Sequence, residues 1–187
     1  MTDVRALLVD FDGTVVDTGA ANHAAYAAAL AEVGVQMPRA AFDAVAFGRN
    51  WRQFLPEMLA EAGLEADPAA VARRKAELYP SCFGSIVVND ALVRVLRLAG
   101  PDCRVALVTT ASGANVRAIL GHFGLTSLFD LVITGDDVVH HKPAPDAYLL
   151  AADRLGCAPD ECVVIEDSDI GVAAGRAFGA PVLRVTF

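Results

Sequence analysis

Acidic side chains that directly follow apolar runs carry the most specific chemistry in this sequence. Asp10 and Asp12 come after the apolar run over residues 7–9, and Gly13 and Thr14 follow at once. A continuous apolar run is typical of a strand that is buried on both faces of a parallel sheet. Two carboxylates at the end of such a strand are costly unless a cation or a proton compensates their charge. The pair therefore indicates a functional site, whereas a single acid would indicate only a loop cap.

A second acidic pair, Glu166 and Asp167, follows the apolar run over residues 162–165. The simpler interpretation is that this pair faces the positive N-terminus of the next helix. If it instead meets Asp10 and Asp12, four carboxylates share one crevice, and a hard divalent cation with oxygen ligands would relieve their repulsion. Mg²⁺ is the candidate, because it uses few protein carboxylates and keeps places for water and a phosphate oxygen.

Two further residues fit a site for a phosphate group. Thr109 follows another apolar run and offers a hydroxyl donor, and Lys142 lies in a loop whose path two prolines restrict. A lysine held in this way would neutralise an anionic substrate and a carboxylate nucleophile together. The adjacent histidines His140 and His141 are a weaker metal-site candidate, because neighbouring side chains point in divergent directions.

Helix and strand signals divide the chain into two kinds of sequence. Between residues 19 and 88 apolar side chains recur at helical spacing, with Gly34 and Gly63 as helix ends and Asp67-Pro68 as a helix start. From residue 89 onward short apolar strands alternate with helices, which indicates a parallel sheet covered on both faces. Ligands bind outside the carboxyl ends of the strands in such sheets. The polar residues at the strand ends can therefore converge on one crevice.

Composition excludes several classes of protein. The 187 residues are 55% hydrophobic and 20% charged, which excludes a disordered chain, and the net charge of −8 argues against a nucleic-acid-binding protein. No run approaches the ~20 apolar residues of a membrane span, and no signal pattern opens the chain, so we expect a cytoplasmic protein without membrane contact. The cysteines form no CxxC pair and are expected to be reduced thiols: Cys82, Cys103, Cys157 and Cys162.

Taken together, the strand-end segments resemble the four motifs of the haloacid dehalogenase superfamily. The matching segments are Asp10-Phe11-Asp12-Gly13-Thr14 with Asp17-Thr18, Val108-Thr109, Lys142-Pro143-Ala144-Pro145-Asp146, and Val164-Ile165-Glu166-Asp167-Ser168 with Gly171. The branch that the chain resembles contains phosphatases and β-phosphoglucomutase-like enzymes with a helical cap of the C1 type. The resemblance implies a Rossmann-like α/β core over residues 1–18 and 89–187 and an inserted all-helical cap over residues 19–88.

The resemblance also implies how a phosphoric monoester would be hydrolysed. Asp10 would attack phosphorus and form an aspartyl-phosphate, and Asp12 would protonate the leaving oxygen and later deprotonate the attacking water. Thr109, with its neighbour Thr110, and Lys142 would hold the transferring phosphoryl group. Dehalogenase chemistry is disfavoured, because the second aspartate of the first motif belongs to the phosphate-handling members.

The same resemblance implies a Mg²⁺ site. Its ligands would be Asp10, the backbone carbonyl of Asp12, and Asp167, with Glu166 helping directly or through water. The expected substrate is a small phosphorylated metabolite, and the expected assembly is a monomer or a weak homodimer. A sugar phosphomutase is the alternative enzyme, and a non-catalytic binding protein of the same fold is a third hypothesis.

Substrate choice would rest with the cap, where the sequence matches less closely. The segment Gly48-Arg49-Asn50-Trp51-Arg52 resembles the cap loop that faces the active site, so Arg49 or Arg52 would contact a second anionic group; a solvated helix start is the equal alternative. Related mutases carry a histidine where Asn22 stands. His23 comes one residue later, which turns a helical side chain by about 100°. This difference favours hydrolysis, and Asn22 and His23 remain candidates for substrate contact.

Overall fold

The chain folds into two units. The computed structural model describes residues 3–46 and 51–187. The first unit comprises Met1–Asp17 and Val87–Phe187, and the second comprises Thr18–Ile86. The limits expected from the sequence fall at residues 18 and 89.

A five-stranded parallel sheet forms the centre of the first unit. Its strands are β1 (Ala6–Val9), β4 (Arg104–Val108), β5 (Leu131–Ile133), β6 (Cys162–Glu166) and β7 (Val182–Arg184). The spatial order β5-β4-β1-β6-β7 places β1 in the middle, and every neighbouring pair is parallel. Val9 of β1 is in register with Leu107 on one side and Ile165 on the other. The three central strands therefore end at the same level, so the residues that follow them lie side by side.

Helices cover both faces of this sheet, which confirms the predicted α/β fold. They are α5 (Asp90–Leu96), α6 (Gly113–His122), α7 (Asp146–Leu155) and α8 (Asp169–Phe178). On one face, Leu8, Val108 and Val164 form a buried cluster with Tyr148 of α7 and Phe178 of α8. On the other face the sheet residues Val9 and Leu107 are fully buried as well. Burial on both faces explains why these strands consist of continuous apolar runs.

Two short strands in the first unit were not expected from the sequence. β2 (Val16–Asp17) and β3 (Val87–Val88) form an antiparallel pair at the two points where the chain passes between the units. Strands of two residues are too short to show a period of alternating hydrophobicity, so no pattern could predict them.

The second unit consists of helices around its own apolar core. They are α1 (Gly19–Ala31), α2 (Arg39–Ala46), α3 (Trp51–Glu61) and α4 (Pro68–Leu78), followed by a 3₁₀ turn at Tyr79–Ser85. Leu30, Phe42, Leu55 and Val71 are among the buried residues that hold them together. The side chain of Asp67 accepts a hydrogen bond from the backbone N–H of Ala69 and caps α4. α2 was not expected from the sequence. None of the helices in the described part of the chain combines the length and apolar character that crossing a bilayer requires.

Candidate active site

The candidate site lies at the carboxyl edge of the sheet in the first unit. Asp10 directly follows β1, and its backbone N–H donates to the carbonyl of Ile165, 2.9 Å away. Glu166 is the last residue of β6, and Thr109 directly follows β4. The matched ends of the three parallel strands thus place at one edge residues that are 57 to 156 positions apart in the sequence.

Lys142 connects the strand ends. Its Nζ donates to Asp10 Oδ1 at 2.6 Å, to Glu166 Oε1 at 2.7 Å and to the carbonyl oxygen of Val108 at 3.0 Å. Its side chain is 3% exposed, so little water competes for these contacts. An ammonium group has three N–H donors, and all three are used. Lys142 therefore fixes the position of the Asp10 carboxylate relative to β4 and β6.

Glu166 is a fully buried carboxylate with hydrogen bonds on both oxygens. Oε1 accepts from Lys142 and from the hydroxyl of Tyr148 at 3.1 Å. Oε2 accepts from the backbone N–H of Asp167 at 3.0 Å and from the N–H and hydroxyl of Ser168, each at 3.1 Å. Five donors stabilise its negative charge in a place that excludes water.

Two glycines leave room for the acidic side chains. A Cβ on Gly171, in the first turn of α8, would collide with the carboxylate of Glu166. Gly13 has a φ of +86°, and a Cβ there would collide with the carboxylate of Asp167. Thr14 Oγ1 donates to Asp167 Oδ1 at 3.3 Å, which links the turn after β1 to the segment after β6. Glycine at these two positions is therefore a steric requirement of the site.

Carboxylate oxygens of Asp10, Glu166 and Asp167 lie within 4.8 Å of one another. This set consists of hard oxygen donors, which suits Mg²⁺. Lys142 supplies only one positive charge against three carboxylates. The donor chemistry and the surplus of negative charge both fit a divalent cation at this place.

Burial and the neighbouring charges together shift the pKa values of these groups. Burial raises the pKa of Asp10 to about 7, although Lys142 opposes this effect. Burial also raises the pKa of Asp167, and the charge of Glu166 adds to the effect. For Lys142 burial acts to lower the pKa, but Asp10, Tyr148 and Glu166 outweigh it and raise the pKa overall. For Glu166 burial acts to raise the pKa, but Lys142 and the hydrogen bonds lower it overall. A proton or a cation is thus favoured at Asp10 and Asp167.

The threonines lie at the end of β4. Thr109 is buried, and its Oγ1 accepts the backbone N–H of Ala111 at 3.1 Å, which leaves the hydroxyl hydrogen to donate elsewhere. Thr110 is exposed. Gly135 lies so close to the carbonyl of Thr110 that a Cβ there would overlap it. The loop after β4 is therefore held against the loop after β5.

Asp12 lies in the turn after β1. It is exposed and bridges to Val16 through the backbone. The turn is closed by a hydrogen bond of 2.7 Å from the N–H of Gly13 to the carbonyl of Val16. Asp12, the proton carrier proposed from the sequence, is thus separated from the buried Asp10 by Phe11 alone and lies in a more hydrated position.

Asn22 and His23 belong to the second unit, where both make polar contacts. Asn22 Nδ2 donates to Thr18 Oγ1 at 3.0 Å, and Asn22 Oδ1 accepts from Lys75 Nζ at 2.7 Å. His23 Nε2 lies 2.8 Å from the carbonyl oxygen of Met37. Both side chains are thus engaged by residues of their own unit.

Of the two candidate arginines, Arg52 also belongs to the second unit. The guanidinium of Arg52 lies over the ring of Trp51, with 4.5 Å between its Cζ and the ring centroid, and the side chain is exposed. Arg49 lies outside the described residues. The structure thus brings together Asp10, Glu166, Asp167, Lys142 and the end of β4 within the first unit, whereas Asn22, His23 and Arg52 belong to the second unit.

Sequence reasoning missed the part that Tyr148 and Ser168 play. Tyr148 recurs at helical spacing with the apolar residues of α7, which predicts only a packing contact, yet its hydroxyl donates to Glu166 Oε1. A tyrosine within an apolar helix face is the available signal, because a buried hydroxyl needs a partner. Ser168 also caps α8 by accepting the N–H of Gly171 at 3.0 Å. Its second contact, to Glu166, has no signature in sequence.

Comparisons with known proteins agree with the fold described above. A family model described as haloacid dehalogenase-like hydrolase matches residues 4–179. Fructose-1-phosphate phosphatase YqaB of Escherichia coli (strain K12) is 37% identical over 180 residues, covering 96% of this chain and 95% of that protein. The crystal structure of CbbY from Rhodobacter sphaeroides in complex with phosphate has a TM-score of 0.82 at 26% identity, covering 98% and 87% of the two chains. A Thermotoga maritima structure assigned to β-phosphoglucomutase has a TM-score of 0.85 at 25% identity, covering 98% of this chain and 86% of that chain.

Proposed function

Since this chain belongs to the haloacid dehalogenase-like hydrolases, we propose that it is a Mg²⁺-dependent phosphatase that works through an aspartyl-phosphate on Asp10. The chain is a hydrolase of phosphoric monoesters. The observation that carries the proposal is the buried ammonium of Lys142, which bridges Asp10 and Glu166 at the sheet edge. It orients one carboxylate oxygen of Asp10 and leaves the other available to attack phosphorus.

The proposed reaction has two steps. In the first, Asp10 forms a bond to phosphorus while the bond to the leaving oxygen breaks, and Asp12 gives that oxygen a proton. In the second, water attacks the phosphorus of the aspartyl-phosphate and Asp12 takes its proton, which releases inorganic phosphate and restores Asp10. Lys142 and the Thr109 hydroxyl would stabilise charge on the phosphoryl oxygens.

The carboxylates of Asp10 and Asp167 and the backbone carbonyl of Asp12 would hold the Mg²⁺. Glu166 would contribute mainly through its charge, because hydrogen bonds already occupy both of its oxygens. When bound, the cation supplies charge neutralisation for the phosphate group. These occupied oxygens disfavour direct ligation by Glu166, which is one of the two roles that the resemblance left open, the other being contact through water.

A small sugar phosphate is the substrate class that we propose. YqaB is named a fructose-1-phosphate phosphatase, and the similarity covers nearly the whole of both chains. Fructose 1-phosphate is therefore the first compound to test. Asn22, His23, Arg49 and Arg52 stay the candidates for contacts with the rest of the substrate.

A sugar phosphomutase is the second candidate, because the fold of this chain is similar to that of the Thermotoga maritima structure assigned to β-phosphoglucomutase. Product analysis separates the two. A mutase would convert a hexose 1-phosphate into its isomer without releasing phosphate, whereas a phosphatase would release it.

The test is a phosphate-release assay over a panel of sugar, nucleotide and small-acid phosphates, with and without Mg²⁺. Asp10→Asn should lower kcat by more than about 10³-fold, because an amide is not a competent nucleophile. Asp43→Asn is the matched control, since Asp43 is an exposed partner of Arg39 in the second unit. Its activity should equal that of the wild type. Full activity of Asp10→Asn would refute the proposal.

A further inference from the structure

Lys142 has no spare donor in the structure. Its three N–H groups are taken by Asp10, by the carbonyl of Val108 and by Glu166. To donate to a phosphoryl oxygen, as the proposed function requires, Lys142 must release one of these acceptors. Asp10 is the nucleophile that Lys142 orients. The acceptors that Lys142 can release are therefore Val108 O, which is a neutral backbone oxygen, and Glu166 Oε1. Release of Glu166 Oε1 would leave a fully buried carboxylate oxygen without its ammonium donor.

Tyr148 is placed to meet this need. Its hydroxyl donates to the same oxygen, Glu166 Oε1, at 3.1 Å, and its side chain is fully buried. The other donors to Glu166 all lie on Oε2. Among the described residues Tyr148 is therefore the remaining donor to Oε1 when Lys142 moves away.

The ring of Tyr148 is held in place independently of its hydroxyl. The Tyr148 ring packs against the ring of Phe178, with 6.2 Å between the two centroids, and Lys142 Nζ lies 5.0 Å from the centroid of the Tyr148 ring. A phenylalanine at this position would keep both contacts and lose only the hydrogen bond. The hydroxyl can thus be tested without opening a cavity.

We propose that Tyr148 is a positioning residue whose hydroxyl keeps Glu166 hydrogen-bonded while Lys142 donates to the phosphoryl group. This inference rests on the proposed function. Removing the hydroxyl should make the movement of Lys142 less favourable, because an unsatisfied buried carboxylate oxygen then results. Both the affinity for phosphate and the stabilisation of the transition state should decrease, whereas the affinity for Mg²⁺ should not change.

The experiment measures the affinity of full-length protein for inorganic phosphate by calorimetry in the presence of Mg²⁺, together with steady-state kinetics. Tyr148→Phe should raise the Kd for phosphate about tenfold and lower kcat/KM by a similar factor. The Mg²⁺ concentration for half-maximal activity should stay within about twofold of the wild-type value. Tyr26→Phe removes a hydroxyl from the second unit and should leave all three quantities unchanged.

A double-variant cycle with Glu166→Gln tests whether Tyr148 acts through Glu166. In the Glu166→Gln background the carboxylate is gone, so Tyr148→Phe should change the Kd for phosphate by less than about twofold. An equal effect in both backgrounds would overturn the inference, as would wild-type phosphate affinity in Tyr148→Phe. If Tyr148→Phe lowers only the melting temperature, the hydroxyl is structural and the inference is wrong. A wild-type protein that neither hydrolyses phosphate esters nor binds phosphate would overturn the proposed function first, and the inference with it.

Discussion

Replacing Gly171 by alanine tests the packing of the site with a single methyl group. The new Cβ would overlap the carboxylate of Glu166. The end of a side chain can often move aside at little cost, but five hydrogen bonds hold this one. To make room, Glu166 must give up some of them or α8 must shift away from β6.

The expected cost follows from these contacts. Losing two hydrogen bonds to a buried charge costs about 3–6 kcal/mol, since each contributes about 1.5–3 kcal/mol. The higher helix propensity of alanine returns about 0.5–1 kcal/mol. The net destabilisation of Gly171→Ala is therefore about 2–5 kcal/mol, which lowers Tm by about 4–20 °C in a protein of this size.

Gly121→Ala is the matched control. Gly121 lies in α6, another helix of the first unit, and a Cβ there meets no atom within 4 Å. This variant should be more stable than the wild type by about 0.5–1 kcal/mol, or about 1–4 °C in Tm. Thermal unfolding followed by circular dichroism measures both variants, and phosphate release should fall at least about tenfold in Gly171→Ala because Glu166 also holds Lys142. If Gly171→Ala melts at or above the wild-type temperature, the steric argument is wrong.

Two further predictions concern charge. Without metal, the pKa of Asp10 is about 7 in the folded protein and 3.8 in the unfolded chain. The folded protein therefore binds the proton more tightly, and proton binding stabilises the fold. This contribution to the free energy of unfolding is lost as pH rises from about 4 through 7. Because Mg²⁺ replaces the proton, it should raise Tm more at about pH 8 than at about pH 5; equal shifts in a thermal-shift assay would contradict this. In the second unit, Asn22→Leu removes an acceptor of the buried Lys75 ammonium and should cost about 1–3 kcal/mol in urea unfolding, whereas wild-type stability would show that this hydrogen bond contributes nothing.

The parallel sheet and the strand-end residues were predictable because burial and pairing leave a local signature. Strands covered on both faces must be continuous apolar runs, and parallel strands must end at one edge. Asp10, Thr109 and Glu166 each follow or end such a run, so their common location follows from topology alone. The register that makes the three ends level is set by pairing, which no single segment encodes.

The contacts that complete the site had no such signature. Tyr148 reaches Glu166 only because α7 packs against the sheet face that carries Val164. A helical pattern identifies the buried face of α7 but not the atom that its hydroxyl meets. The clearance at Gly171 likewise depends on the placement of α8 over the end of β6. Such features depend on tertiary packing, which local propensity does not determine.

The hydrogen bonds divide the acidic residues into two groups, and this explains how an anionic substrate can bind a chain of net charge −8. Glu166 is buried and saturated by donors, and it balances Lys142. Asp10 and Asp167, whose pKa values are raised, are the carboxylates whose negative charge a cation would still have to compensate. With the cation present, the charge of these two carboxylates would be compensated, and Lys142 would exchange one of its three acceptors for a phosphoryl oxygen. The cation should therefore precede the substrate, because a phosphate dianion that arrived first would meet uncompensated carboxylates.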